Sequence, residues 1–426
     1  MTKNLVCCLV AGAILGLTAQ SFGAGFRVSE QGAKAMGMAN AFAAQADDPS
    51  ALAFNPAGIA FQKGIQASIG TTAILVPQTE FTGTTKISGA TQVNEKANRD
   101  MFFPPNAYFT VALESMPLSF GLGINSFFPL SKRWDVSTAF RDSIQEISIK
   151  PVNFQPTVAY RFDSLNLALA AGVDVTYAQV SLQKMPFTNF PPPAGPYTPL
   201  VELGVDGTAT GLGYNFGLQW KPCKTVSFGA AYRSQVELDI SGDANYVTVN
   251  PAVTGAIGLP ATAKSTASTQ ITLPDIITLA VAYKPVDKLT LEFDAERTGW
   301  SSYKKLQIQF DGAAFAAFNS KPDYKNWEDV WAYRFGAQYA ASKNIDLRAG
   351  YAFDTSPVPD SSLGPELPDA DRHNYSIGLG VHDDRASLDL AYMWVHFVDR
   401  TVTNAKQSGE FKSDAHLFGV NATYRF

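Results

Sequence analysis

The last eleven residues, HLFGVNATYRF from His416 to Phe426, limit the fold most narrowly. Phe418, Val420, Ala422, Tyr424 and Phe426 are mostly apolar, and they alternate with Gly419, Asn421, Thr423 and Arg425. A strand sends successive side chains to opposite faces, so this segment reads as a strand with one greasy and one wet side that ends on an aromatic. The same two-sided pattern recurs up the chain.

The N-terminus adds a second constraint. Lys3 precedes an unbroken apolar run over residues 5–17, and small residues follow at Ala19, Ser21, Gly23 and Ala24. This is the pattern of a secretion signal with cleavage between Ser21 and Ala24, and the run is too short to anchor the chain. Removing it removes Cys7 and Cys8 and leaves Cys223, so the mature chain has no intramolecular disulfide. No window approaches the ~20 apolar residues of a membrane-spanning helix. A transmembrane barrel hides its membrane signal by alternation, and a hydrophobic content of 46% is compatible with one. The net charge of −5, without any Lys/Arg cluster, gives no track for nucleic acid.

From Ile65 onward fourteen candidate strands are read, near 65–76, 102–113, 118–128, 147–162, 165–183, 203–220, 225–241, 268–284, 289–310, 326–341, 345–355, 371–383, 386–400 and 412–426. Short links alternate with long ones at 77–101, 129–146, 184–202, 242–267, 311–325, 356–370 and 401–411. Short periplasmic turns and long outer loops are the habit of an up-and-down outer-membrane barrel. The predicted fold is therefore all-β, a 14-stranded antiparallel transmembrane barrel over residues 65–426.

Parity assigns the faces. Leu289, Leu291, Phe293 and Ala295 point out, while Thr290, Glu292, Asp294 and Glu296 point in. Aromatics near strand ends, Tyr160, Phe162, Trp220, Tyr283, Trp300, Tyr339, Tyr424 and Phe426, suit the interfacial belts. A soluble β-sandwich also alternates. The secretion signal, the paired loop lengths and the aromatic C-terminus favour the membrane.

Fourteen strands enclose more space than lining side chains fill, so the lumen is open or stoppered. Residues 24–64 are rich in Ala, Gly and Met and lack alternation, and Asp48-Pro49 opens a short helix that Asn55-Pro56-Ala57-Gly58 ends. This segment reads as a partly helical plug. Residues 185–200 and 246–262 carry no charge and many apolar groups, among them Phe187, Phe190, Tyr197, Tyr246, Val253 and Ile257. They read both as a lid and as a landing site for an apolar ligand.

The stretch AGFRVSEQGAKAMGMANAF followed by ADDPSALAFNPAG resembles the N-terminal signature of the FadL/TodX family of outer-membrane transporters for long-chain fatty acids and other hydrophobic compounds. The resemblance implies a barrel closed by an N-terminal hatch, a mature start at Ala24, ligand contact at Phe26, and a hatch turn linked to transport at Asn55, Pro56 and Ala57. It also implies a monomer and lateral exit through a kinked third strand, here LSFGLGINSFF with Gly121 and Gly123 inward. Those glycines equally make room for a plug.

The expected cargo is a hydrophobic molecule, a long-chain fatty acid first, with aromatic or alkane hydrocarbons as the alternative. The expected surroundings are outer-membrane lipid. A buried carboxylate needs a cation. Parity offers Arg233 and Arg334, each of which could instead pair with lumen acids such as Glu237, Glu292 and Asp294. No G-x-S-x-G or HExxH motif accompanies His373, His382, His396 and His416, so neither an enzyme nor a metal or cofactor is expected.

Overall fold

Alternation becomes wall in the computed structural model, which describes residues 25–76, 78–188, 197–319 and 321–426. The expected secretion signal, residues 1–23, lies outside the described residues. Fourteen antiparallel strands run in chain order: β1 (Ile65–Val76), β2 (Asp100–Phe102 and Pro105–Ala112), β3 (Leu118–Asn125 and Leu130–Arg133), β4 (Glu146–Phe162), β5 (Leu167–Lys184), β6 (Val201–Cys223) and β7 (Val226–Arg233 and Val236–Thr248). They continue as β8 (Thr262–Leu273 and Ile276–Val286), β9 (Leu289–Thr298), β10 (Val330–Ala340), β11 (Ile345–Asp354), β12 (Arg372–His382), β13 (Ala386–Phe397) and β14 (Asp414–Arg425). β14 pairs with β1 from Gln66↔Arg425 to Leu75↔His416 and closes the barrel. Closure satisfies the backbone of both terminal strands, which lipid would otherwise leave unpaired at several kcal/mol per group.

The faces divide as the parity of β9 predicts, and β10 and β11 follow the same rule. Glu292, Asp294, Asp346 and Arg348 are buried in the lumen, while Leu291, Leu347 and Phe335 are exposed on the lipid side. Tyr160, Phe162, Trp220, Tyr283, Tyr339, Tyr424 and Phe426 are exposed near the short turns, as a girdle requires. Trp300 departs from this expectation. It follows the end of β9, and a single 3-10 turn (Trp300–Ser302) folds it into the lumen, where it is fully buried. Glu237 departs as well. β7 breaks at Ser234–Gln235, so parity flips, Val236 and Leu238 turn inward, and Glu237 faces out. β8 breaks beside it at Pro274–Asp275.

The third strand opens the wall. β2 and β3 pair from Ala112↔Ser119 to Ala107↔Ile124, and the register resumes where Asn98 N donates to Arg133 O at 2.7 Å. Between these points no ladder pair joins them. The unzipped stretch contains Pro104, Pro105 and Pro129, three residues with no N–H to give. β3 stays on β4 but shifts by one residue, from Asn125↔Asn153 to Leu130↔Ile149. The carbonyls released from β2 are taken by the N-terminal segment: Val28 N donates to Phe127 O at 2.8 Å and Gln31 Nε2 to Ser126 O at 2.6 Å.

That segment, residues 25–64, lies inside the barrel. Its helices are short: α1 (Ala33–Met36) and α2 (Ala51–Phe54), then a 3-10 turn over Pro56–Phe61. The expected helix start sits slightly late, because Asp48 Oδ1 accepts from Ser50 N at 2.8 Å and closes a turn before α2 begins. Small residues allow close approach to the wall. Ala33, Ala35, Ala39, Ala41, Ala44 and Ala51 are all fully buried.

Candidate functional site

The N-terminal residue pair Gly25-Phe26 starts the pocket. Gly25 has φ +54°, and a Cβ there would lie 2.7 Å from the Trp300 ring, so only glycine fits. The turn drives Phe26 into an aromatic cluster, with ring centroids 4.6 Å from Trp300, 6.0 Å from Trp327 and 6.2 Å from Phe128 and Tyr303. Above Phe26 the outer halves of β4–β8 and the loops line a pocket that opens toward the barrel mouth. Its walls are aliphatic and aromatic, including Ile149, Val180, Ile240, Ile271, Trp327 and Leu367.

Two charges stand on this lining besides Asp206: Lys325 and Glu366. The Lys325 side chain is 4% exposed, and its Nζ lies 3.2 Å from Glu366 Oε1 and 3.0 Å from Asp323 Oδ2. Lys406 Nζ approaches the same Glu366 oxygen at 3.4 Å. Burial would pull the lysine down, but Glu366, Tyr303 and Asp323 outweigh it and hold Lys325 above the ordinary lysine range. Burial would push the acid up, but Lys325 and Lys406 outweigh it and hold Glu366 at about 2. Both groups stay charged across physiological pH.

Beneath the pocket the N-terminal segment is gripped by its backbone. Phe42 N and Ala43 N each donate to Asp294 Oδ2 at 3.0 Å. Ala44 N donates to Glu292 Oε1 at 2.6 Å and Gln45 N to Glu292 Oε2 at 3.1 Å. Four consecutive amides thus share two carboxylates of β9. Asn55 is fully buried; its Nδ2 donates to Ala43 O at 2.8 Å and to Leu218 O of β6 at 2.9 Å, and its Oδ1 accepts from Ala57 N at 3.2 Å. Gly217 lets it in, since a Cβ there would sit 2.6 Å from Asn55 Oδ1. Pro56 opens the 3-10 turn that Asn55 caps.

The profile of the outer membrane protein transport protein family (OMPP1/FadL/TodX) matches residues 14–426. This chain belongs to that family. It is 25% identical over 450 residues to the long-chain fatty acid transport protein of Escherichia coli O6:H1, the alignment covering 98% of each chain. Its fold is similar to a Pseudomonas aeruginosa FadL homologue (TM-score 0.83, 21% identity, 95% of this chain and 100% of that one). It is also similar to the Ralstonia pickettii toluene transporter TbuX (TM-score 0.68, 18% identity, 93% and 98%). The protein is an outer-membrane β-barrel.

In this FadL/TodX barrel the residues singled out from the sequence fall in different places. Phe26 lines the pocket; Asn55, Pro56 and Ala57 lie between the segment and β6. Arg233 and Arg334 do not reach the pocket. Arg233 pairs with Asp174, donates to Gln155 at 3.2 Å and stacks over Phe127 at 4.0 Å. Arg334 lies 3.0 Å from Glu296 and 3.6 Å from Asp354, and Arg27 also pairs with Glu296. Lumen acids hold both arginines. Gly121 faces the N-terminal segment, where a Cβ would lie 2.6 Å from Leu52 Cδ2, and Gly123 faces Asn125 and Gln155. Both precede the unzipped stretch of β3 and do not create it.

The outer residues are equally mixed. Tyr246 is no loop residue. It ends inward on β7, fully buried, 4.9 Å from the Phe315 ring. Val253 packs on the same cluster. Phe187 lies under the Arg141 guanidinium at 5.2 Å. Ile257 and Tyr197 are exposed. Phe190 lies outside the described residues. Trp300, Trp327, Lys325 and Glu366 were not read from the sequence as site residues. They come from loops, where no periodicity marks a face.

Proposed function

We propose that this chain carries long-chain fatty acids and similar hydrophobic molecules into the cell through the outer membrane without energy input. The observation that carries the reading is an apolar cavity whose aliphatic wall ends on a buried ammonium, Lys325. An alkyl chain finds there a place out of water, and a carboxylate finds a partner; the relative named for long-chain fatty acids supports the same cargo. The aliphatic and aromatic wall also accommodates a hydrocarbon without a head group, as the likeness to a toluene transporter suggests, but such a cargo leaves Lys325 only its loop ion pairs with Glu366 and Asp323. Residues 1–23 act as the export signal, residues 24–64 as the hatch, and the barrel works as a monomer.

Lys325→Met separates the two cargoes. Losing a charge-assisted bond costs about 1.5–3 kcal/mol, which is roughly a ten- to hundredfold loss of laurate affinity. Toluene affinity stays within about twofold. Equal losses for both ligands would sink the acid reading. Arg233→Ala, by contrast, leaves Asp174 buried without its cation and lowers barrel stability, read as the melting temperature in detergent.

Ligand leaves sideways in this reading, through the stretch where Pro104, Pro105 and Pro129 keep β2 and β3 apart. Val28 and Gln31 tie that stretch to the hatch, so hatch motion and wall opening are coupled. A diazirine-bearing fatty acid is expected to label residues 103–105 and 126–129. Labelling confined to residues 60–64 and the short turns would point to periplasmic exit instead.

A further inference from the structure

We infer that Glu366 stands in for the ligand's carboxylate: it occupies the Lys325 ammonium, must give it up to an anionic head group, and so sets the balance between anionic and neutral amphiphiles. The inference rests on the reading of Lys325 as head-group partner.

Glu366 lies on a tight turn of the loop between β11 and β12, and that loop folds down into the barrel mouth. Val358, Leu363 and Leu367 of the loop are packed in the aromatic and aliphatic core around the cavity. Its backbone is fixed from several sides. Trp134 Nε1 donates to Pro365 O at 3.0 Å, Gln407 Nε2 to Leu363 O at 2.8 Å, and Arg400 Nη2 to Val358 O at 2.6 Å. Leu367 N closes the turn on Gly364 O at 3.2 Å. Gly364 gives the carboxylate room, since a Cβ there would lie 2.0 Å from Glu366 Oε2. A fixed backbone with a half-buried acid at its tip, 23% exposed, leaves the side chain free to turn to water while the loop stays in place.

Charge makes the exchange obligatory. Lys325 and Lys406 face Asp323 and Glu366, two against two. Lys184 of β5 also feels Asp323, Glu366 and Lys406, and Asp142 stands against its charge. A ligand carboxylate added beside Glu366 and Asp323 would put a third anion on one buried ammonium, and like charges at that distance repel strongly out of water. An amphiphile with a neutral head carries no such conflict. Glu366 is therefore a specificity residue acting through Lys325, and it penalises anions selectively.

The test compares laurate with 1-dodecanol, equal in chain length, on the full-length protein in a non-ionic detergent. Glu366→Gln keeps shape and removes the charge. Laurate is expected to bind about tenfold tighter to the variant, and dodecanol within about twofold of native. Unchanged or weaker laurate binding would overturn the inference. So would an equal gain for both ligands, which would mean a loosened loop. Native protein that binds neither probe would remove the cavity reading itself and this one with it. Glu366→Asp, which keeps the charge, is expected to retain the native laurate-to-dodecanol ratio.

Discussion

With Glu292 and Asp294 both replaced by alanine, the barrel is expected to pass small solutes that the native protein excludes. The two carboxylates accept four consecutive hatch amides, those of Phe42, Ala43, Ala44 and Gln45. Removing both acceptors at once orphans four buried donors. Each costs roughly 1–3 kcal/mol when left without a partner, so the hatch loses on the order of 4–12 kcal/mol of anchoring. What remains on this stretch is weaker. Asn55 Nδ2 holds Ala43 O, and Gln219 Nε2 holds Ala44 O at 2.6 Å and Gln45 O at 3.1 Å. The wall does not need these carboxylates, because β9 keeps its full ladder to β8 and β10 through backbone groups. The variant is therefore expected to fold as a barrel and leak. Liposome swelling with a small sugar should rise several-fold over native. Glu292→Gln alone keeps an oxygen acceptor and should stay near the native rate. A folded double variant that swells liposomes no faster than native protein would show that other contacts retain the hatch.

The position of that clamp was half legible. Alternation along LTLEFDAERT put Glu292 and Asp294 in the lumen, because a one-residue slip would turn charges to lipid. Their partners were not legible, since they are backbone amides of a segment distant in sequence. The same parity failed where strands break. Ser234–Gln235 inserts a kink in β7, and every assignment beyond it reverses, Glu237 included. No proline or glycine marks that kink on β7 itself; Pro274 on the neighbouring β8 is the visible trace. At β3 the glycines read equally as the cause of an opening and as room for a plug, and Gly121, which faces Leu52, fits the second. The prolines Pro104, Pro105 and Pro129 explain the opening better, because they withhold donors and the glycines do not. Arg233 and Arg334 drew attention because they sit on strands, where a face can be read. Lys325 and Glu366 sit on loops that fold back into the mouth, and loop return is set by tertiary packing such as that of Val358 and Leu363.

Trp300→Ala is expected to abolish tight binding of acid and hydrocarbon alike, with the barrel melting temperature nearly unchanged. The indole is fully buried and packs on Phe26, Trp327 at 5.0 Å and Phe128 at 5.7 Å. Its Nε1 has no hydrogen-bond partner among the described residues, so alanine removes packing and no polar contact. Cutting a buried Trp to Ala typically costs about 3–5 kcal/mol, transfer plus void. That cost falls on the pocket floor and the hatch start, since Trp300 belongs to a turn beyond the end of β9 and not to its ladder. Phe26 is the neighbour best placed to fall into the void, because Gly25 was shaped to the ring that is gone. A floor that collapses by that much energy would weaken any apolar ligand by roughly two to four orders of magnitude. The pattern separates this effect from the head-group effect. Lys325→Met weakens laurate and spares toluene, whereas Trp300→Ala weakens both. Trp300→Phe refills part of the volume and should recover part of each affinity. Retained binding of both ligands by the alanine variant would place the transported molecule somewhere other than against Phe26.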